Sequence, residues 1–167
     1  DSYISLKVPH AHGQKGELQI KGPKEFNSSP RLTYDSTASL LNVSGQIRTT
    51  SVRVDEKMVC EGAMYHNIKK IDVPHYEVGD EDYTILCDSL KNKITVSLPP
   101  ACNQRGRVLI VKKTNTNKYK LNSHVVEIKC EEGPIDLLDA ATIKMNYSAR
   151  TFQSDGTNWW IINKTGS

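Results

Sequence analysis

The chain has 167 residues, a formal net charge of +3 and 37% hydrophobic residues. This length can bury the core of one domain or of two small ones, and the small net charge does not by itself indicate a nucleic-acid partner. No apolar run approaches the length of about eighteen residues that a membrane-spanning helix needs, which argues against membrane insertion. The chain starts at Asp1 with no apolar segment after it, so we expect a processed product or an excised part of a longer protein.

Residues 1–55 show short strand patterns that are separated by glycine and proline. The first pattern spans residues 2–8, where Ile4, Leu6 and Val8 alternate with polar residues, which is the period of a β-strand. These patterns predict a small, shaft-like β-domain over residues 1–55. Further strands are predicted at 17–21, 31–34, 39–43 and 46–54.

The alternation weakens over residues 56–82. Pro74, Gly79 and the acidic run from Asp80 to Asp82 are typical of a surface segment rather than of a strand. We therefore predict that residues 56–82 connect two domains.

Residues 83–167 have the clearest strand patterns. Their spacing, with turn residues between them, is typical of a sandwich or a barrel. No helical period is sustained, and the segment 135–141 after Pro134 is long enough only for a short helix. The predicted fold class is all-β, with a short-stranded antiparallel β-sandwich head over residues 83–167. Its strands are predicted at 83–87, 94–98, 108–113, 125–129, 141–145, 150–153 and 159–163.

A series of segments follows in a fixed order along the chain: SSPRLTYDSTASLLNVSGQIRTTSV (28–52), ITVSLPPA (94–101), GRVLIVKK (106–113) and SDGTNWWII (154–162). In this order they resemble the C-terminal head or tip modules of phage and large-DNA-virus fibre proteins. The resemblance implies a fibre or spike tip on the virion surface, assembled as a homotrimer. It also implies multivalent attachment to a host-surface receptor, either a glycan or a protein with a glycan favoured, and no catalysis.

Other functions remain open. The chain also fits a non-catalytic capsid decoration protein, a fragment of a polysaccharide-degrading tailspike, or a cellular lectin-like domain. A tailspike would need two carboxylates close together around a cleft, but the candidates lie in predicted loops with no signature around them. No nucleophile motif is present either, so we predict that the protein is not an enzyme. The candidate carboxylates are Asp80, Glu81, Asp82, Glu131, Glu132, Asp136 and Asp139.

His10 and His12 form the sharpest local pattern. Residues two apart on a strand point to the same side, so a trimer would bring enough imidazole nitrogens to one axis for octahedral coordination of a metal such as iron. Such a site resembles the His-x-His metal sites of some trimeric phage fibres. The alternative is a pair of exposed histidines with no metal, and no other cofactor is predicted.

Trp159 and Trp160 follow the Asp155–Gly156 turn. Adjacent strand residues face opposite sides of a sheet, so one ring is predicted to lie in the core and the other outside. Trp160 is assigned outside and, with Ile162, is predicted to lie in the trimer interface. A platform on which a sugar stacks is the alternative for the outward ring.

A basic stretch with one aromatic residue spans residues 112–120. As a patch it would suit nucleic acid, but the overall charge balance and the asparagines favour a solvated hairpin tip, and no nucleic-acid partner is predicted. In a fibre head this tip is a weak candidate for contact with an anionic glycan receptor. The candidate residues are Lys112, Lys113, Lys118, Tyr119 and Lys120.

The cysteines, Cys60, Cys87, Cys102 and Cys130, are widely spaced and form no C-x-x-C pair, which argues against a zinc site. Their even number permits disulfides, and free thiols are an equal alternative. N-x-S/T sequons would be glycosylated in a secreted protein, with chance matches as the alternative. They lie at Asn27, Asn42, Asn146 and Asn163.

Overall fold

The structure, a computed structural model, describes residues 17–21, 26–35, 37–117 and 124–166. The chain divides into two compact units, with the boundary between Val59 and Cys60. The predicted strand at residues 2–8 and the predicted metal residues His10 and His12 lie outside the described residues.

The first unit contains a three-stranded antiparallel sheet in which β1 (Glu17–Lys21), β2 (Phe26–Asp35) and β3 (Leu40–Val43) pair in sequence order. The strands predicted at 17–21, 31–34 and 39–43 are confirmed. The strand predicted at 46–54 is wrong. Ile47 and Val52 are 69% and 63% exposed, so their alternation has no core to pack against.

The second unit begins at Cys60 and contains strands β4 to β12 with one turn of 3₁₀ helix at Ala101–Asn103. The strands predicted from residue 83 onward are confirmed to within two residues at their ends. No helix among the described residues is long and apolar enough to cross a membrane. The strands are β4 (Ile68–Ile71), β5 (His75–Glu77), β6 (Thr84–Asp88), β7 (Ile94–Leu98), β8 (Val108–Thr114), β9 (Val126–Cys130), β10 (Ala140–Ile143), β11 (Ala149–Ser154) and β12 (Trp159–Thr165).

These strands form two mixed sheets. The large sheet has five strands in the order β12-β11-β8-β6-β4, and the small sheet has four in the order β10-β9-β7-β5. From β4 to β9, successive strands alternate between the two sheets, and each strand runs parallel to the previous one in its own sheet. The chain therefore winds as a coil, and each turn adds one strand to each sheet. β10, β11 and β12 then add antiparallel strands beside the last turn.

The all-β class and the sandwich-like arrangement are confirmed, but antiparallel pairing throughout the head is wrong. Only β9–β10, β8–β11 and β11–β12 pair antiparallel among the described strands of the second unit. The physical reason is the coil, because a strand that returns after a visit to the opposite sheet must lie parallel to its predecessor. β4 and β5, the first turn of this coil, lie within the predicted connection of residues 56–82.

The core lies between the inner faces of the two sheets. In β7, Ile94, Val96 and Leu98 are buried and the residues between them are half-buried, and Leu109 and Val111 repeat this alternation in β8. Phe152 and Trp159 fill the core from β11 and β12, and both are fully buried. Since burial of each such side chain contributes about 1.5–3 kcal/mol, the alternation determines which face of each strand is inside.

The short helix predicted at 135–141 is wrong. Ile135 and Leu138 exchange backbone hydrogen bonds of 2.8 Å, and the two residues between them, Asp136 and Leu137, have positive φ angles of 49° and 63°. Two consecutive positive φ values are typical of a type I′ turn, which prefers Asn-Gly or Asp-Gly. An Asp-Leu pair gives no such signal in the sequence.

Candidate functional site

The outward side of the large sheet is mostly apolar or β-branched. Thr84, Ile110 and Thr151 lie side by side on three neighbouring strands, and Ile68, beside Thr84 on the edge strand β4, is 60% exposed. The adjacent Lys112 on this side turns its ammonium to the backbone oxygen of Tyr147, 2.8 Å away. We call this side the apolar face. Its apolar residues are Ile68, Leu86, Val108, Ile110 and Trp160, and Lys70, Thr84, Thr151 and Gln153 lie among them on the same side.

The outward side of the small sheet is polar. Glu127 accepts ion pairs from Lys93 at 3.0 Å and from Lys129 at 3.3 Å. The hydrogen bond from Lys93, followed by that from Lys129, lowers the pKa of the Glu127 carboxyl group. This polar face, which suits direct contact with water, is formed by Thr95, Ser97, Glu127, Lys129 and Thr142.

The predicted division of the two tryptophans is confirmed. Trp159 is fully buried, and its indole N–H donates to the backbone oxygen of Pro99 at 2.9 Å. Trp160 lies on the outward side, half-buried, and its indole N–H donates to Asp155 Oδ2 at 2.7 Å. The hydrogen bond from the Asn158 backbone, then that from Trp160, lowers the pKa of Asp155. The hairpin turn thus fixes the orientation of the outward ring.

Trp160 and Ile162, the residues predicted for the trimer interface, border a common cleft of about 380 Å³ at the end of the large sheet. Arg105 and Gln153 line its other sides. Ile162 is 54% exposed. Both residues are therefore available to a second molecule, and their place in a trimer interface stays a prediction.

A larger groove lies between the two sheets on the side where β10 and β12 are the edge strands. It has a volume of about 560 Å³. Its lining combines aliphatic side chains with hydroxyl, amide and charged groups. We call it the edge groove, and its principal lining residues are Ile135, Asp136, Ala141, Thr142, Arg150, Ile161, Asn163 and Lys164.

Two cations face this groove. Arg150 on β11 lies directly opposite Lys164 on β12 and, on its other side, opposite the buried Val111. Directly opposite residues of an antiparallel pair share one face, so both cations are on the core side of the sheet. Arg150 donates to the backbone oxygen of Ala149 at 3.3 Å. Neither cation pairs with a carboxylate within the described residues.

The basic stretch begins inside a strand rather than in a hairpin tip, because Lys112 and Lys113 belong to β8. Lys113 is 1% exposed and donates to the backbone oxygen of Lys144. Desolvation lowers the pKa of its ammonium group. A receptor would not reach Lys113 in this position. The remaining candidates, Lys118, Tyr119 and Lys120, lie outside the described residues.

Two residues of the acidic run that begins at Asp80 make hydrogen bonds or ion pairs with nearby residues of the same chain. Asp82 is buried, and its carboxylate accepts hydrogen bonds from the Tyr76 hydroxyl at 2.6 Å and from the Gly79 backbone at 2.8 Å. Arg107 lies 3.8 Å from Asp80 and also donates to the Gly79 backbone oxygen. These contacts fix the loop between β5 and β6. No group of three or more potential ligands for a metal occurs in the part of the chain that is described.

The cysteines are free thiols. Cys87 is fully buried on β6, and desolvation raises its pKa to about 12. Cys130 is half-buried and donates to the backbone oxygen of Glu132 at 3.2 Å, and burial also raises its pKa. Cys60 and Cys102 are exposed. Of the two alternatives that the sequence left open, the structure has free thiols.

Sequence reasoning did not identify the cation pair in the edge groove. Arg150 and Lys164 lie on consecutive strands, and only the register of β11 with β12, which includes an irregularity next to Thr151, places them opposite each other. One signal was available, since Arg150 precedes the core residue Phe152 by two positions and must share its face. A charged residue on the core side of a strand is unusual enough to mark a site.

No protein-family model matches the chain, and no curated protein matches it at a significant level.

Proposed function

We propose that this chain is the tip module of a virion fibre or spike, which assembles as a homotrimer and attaches to a glycan receptor on the host surface. The order of the segments from residue 28 to residue 162 supports the virion assignment. The contrast between the apolar face and the polar face supports the assembly. This contrast is the observation on which the proposal depends most.

The outward sides of the two sheets of the second unit differ in chemistry. The polar face satisfies its charges internally, through the ion pairs around Glu127. On the apolar face Ile68 is 60% exposed, and Leu86 and Ile110 are half-buried, so each still presents apolar surface to water. Burial of apolar surface contributes about 25 cal/mol for each Å², so association of this face with other copies of the chain lowers the free energy. Trp160 and Ile162 then lie at the rim of the interface.

Trimeric assembly also explains how a small domain attaches firmly. Three identical sites on one tip raise the effective concentration of each site for a surface that carries many receptors. Weak binding by a single site is then sufficient for attachment. The host-facing side of the virion is the expected location.

The assembly is tested by size-exclusion chromatography with light scattering on the full chain at micromolar concentration. The wild-type protein is expected as a trimer, and Ile110→Asp, which places a charge at the centre of the apolar face, is expected as a monomer. Ser97→Asp makes a comparable change in a central strand on the polar face, directly opposite Lys129, and is expected to remain trimeric. A clean monomer of the wild-type protein would refute the trimer.

Attachment is tested on a glycan array with the wild-type protein and with the Ile110→Asp variant. We expect the trimer to bind a defined set of glycans and the monomeric variant to lose most of the signal, because avidity requires several sites. Circular dichroism of both proteins controls for folding. Binding to purified capsids with a blank array would instead identify a structural decoration protein.

A further inference from the structure

The edge groove is lined by two cations, Arg150 and Lys164, and by one carboxylate, Asp136, which forms an ion pair with neither of them. Like charges directly opposite each other on neighbouring strands destabilise a sheet, and Arg150 and Lys164 form such a pair. Arg150 is half-buried on the core side of β11, and Lys164, opposite it on the edge strand β12, is exposed. Within the described residues no carboxylate pairs with either of them. An anion between the two side chains would convert the repulsion into two attractions.

We propose that the edge groove binds a carboxylate-bearing saccharide, with its carboxylate between Arg150 and Lys164. This inference rests on the proposed glycan attachment and locates the receptor site. The guanidinium group of Arg150 can donate two parallel hydrogen bonds to one carboxylate. Lys164, directly opposite, supplies a second positive charge from the neighbouring strand.

The rest of the lining adds apolar surface and a further acceptor. Ile161, half-buried on the core side of β12, offers apolar surface for ring carbons. The carboxylate of Asp136 is held in place by the backbone N–H of Ile161 at 2.8 Å and leaves its second oxygen as a further acceptor. The groove volume of about 560 Å³ falls within the range of about 300–1,000 Å³ for small-molecule sites.

The position of the groove is compatible with the proposed trimer. Arg150 points to the core side of β11, whereas its neighbour Thr151 belongs to the apolar face. The groove is lined mainly by residues of the edge strands β10 and β12, and it shares Ile162 with the predicted rim of the trimer interface. Association centred on Ile110 therefore leaves Arg150 and Lys164, on the other side of the sheet, outside the interface.

The test is a titration of the full ¹⁵N-labelled chain, followed by NMR chemical shifts. The probes are 3′-sialyllactose, which has a carboxylate, lactose, which has no charge, and lactose 3′-sulfate, which has a different anion. We expect 3′-sialyllactose to shift the resonances of Thr142, Arg150 and Asn163, and the other two probes to bind at least about tenfold more weakly. Equal binding of lactose or of lactose 3′-sulfate overturns the carboxylate assignment.

Variants then test the two cations. Arg150→Ala and Lys164→Ala are each expected to weaken 3′-sialyllactose binding about tenfold or more, since each removes a charge-assisted contact. Lys164 is exposed, so its replacement leaves the fold intact. Lys129→Ala on the polar face is the matched control and is expected to bind as the wild type does. Unchanged binding in Lys164→Ala and Arg150→Ala overturns the site.

The outcomes for the groove and for the trimer are separable, because light scattering on the same samples reports the oligomeric state. A monomer that binds 3′-sialyllactose through Arg150 refutes the trimer and supports the groove. A trimer that does not bind the probe refutes the groove and leaves the assembly standing.

Discussion

At the scale of single residues, the neighbouring tryptophans differ in burial and in the group that accepts the hydrogen bond from the indole N–H. The indole N–H of Trp159, which is enclosed in the core, donates to the backbone oxygen of Pro99, whereas the indole N–H of Trp160 donates to the Asp155 carboxylate at the surface. Trp159→Phe is expected to lower the free energy of unfolding by about 2–4 kcal/mol, from the void and the lost hydrogen bond. Trp160→Phe, the matched control, is expected to cost less than about 1 kcal/mol. Urea unfolding measures both, and equal losses would contradict the assigned burial.

The thiols differ in reactivity for a related reason. Only the thiolate attacks an alkylating reagent, and burial raises the pKa of Cys87 to about 12. In the native protein at pH 8 we expect iodoacetamide to modify the exposed Cys60 and Cys102 first and to leave Cys87 intact. Peptide mass spectrometry after timed quenching follows the reaction. In urea, where the core is open, all the cysteines should react, and rapid native modification of Cys87 would contradict its burial.

At the scale of elements, the pairing of β11 with β12 includes the repulsion between Arg150 and Lys164. Lys164→Glu replaces it with an attraction across the same pair, so without ligand we expect a gain of about 0.2–1 kcal/mol in stability. Lys91→Glu makes the same charge change in an exposed turn and serves as the control. Thermal unfolding at low salt compares the two. A stability below that of the wild type in Lys164→Glu alone would show that the cations do not repel each other.

The sequence predicts where the strands lie, but it does not predict which strands pair with each other. Alternation at residues 94–98 and 108–113 gave both the strands and their buried sides, because an apolar side chain every second residue defines one face. Alternation does not show which strand lies beside which, and so parallel pairing within the coil was missed. The edge groove was missed for the same reason, since Arg150 and Lys164 become neighbours only through strand register. The type I′ turn at Asp136–Leu137 lacks the glycine that is typical of such turns, so the sequence pattern does not predict it.

At the scale of the whole molecule, the second unit has a complete core of its own. Its buried residues, from Ile71 to Trp159, all lie after the boundary at Val59–Cys60. A fragment of residues 60–167 is therefore expected to fold cooperatively, with a melting temperature within a few degrees of the corresponding transition of the full chain. Differential scanning calorimetry of both proteins measures this. A fragment that shows no cooperative transition would mean that the first unit is needed for the core.

In the coiled path from β4 to β9, the paired strands determine the core, whereas the segments between the strands can vary in length. Each strand is aligned by the parallel strand beside it, so the segments between strands do not set the register. One such segment spans residues 89–93 and the equivalent one in the next turn spans residues 115–125, yet both turns deliver strands to the same two sheets. Extra loop residues cost little, because closure entropy grows slowly with length. The loops of the coil can therefore change in length and sequence, and so acquire new binding residues, while the core and the strand register stay the same.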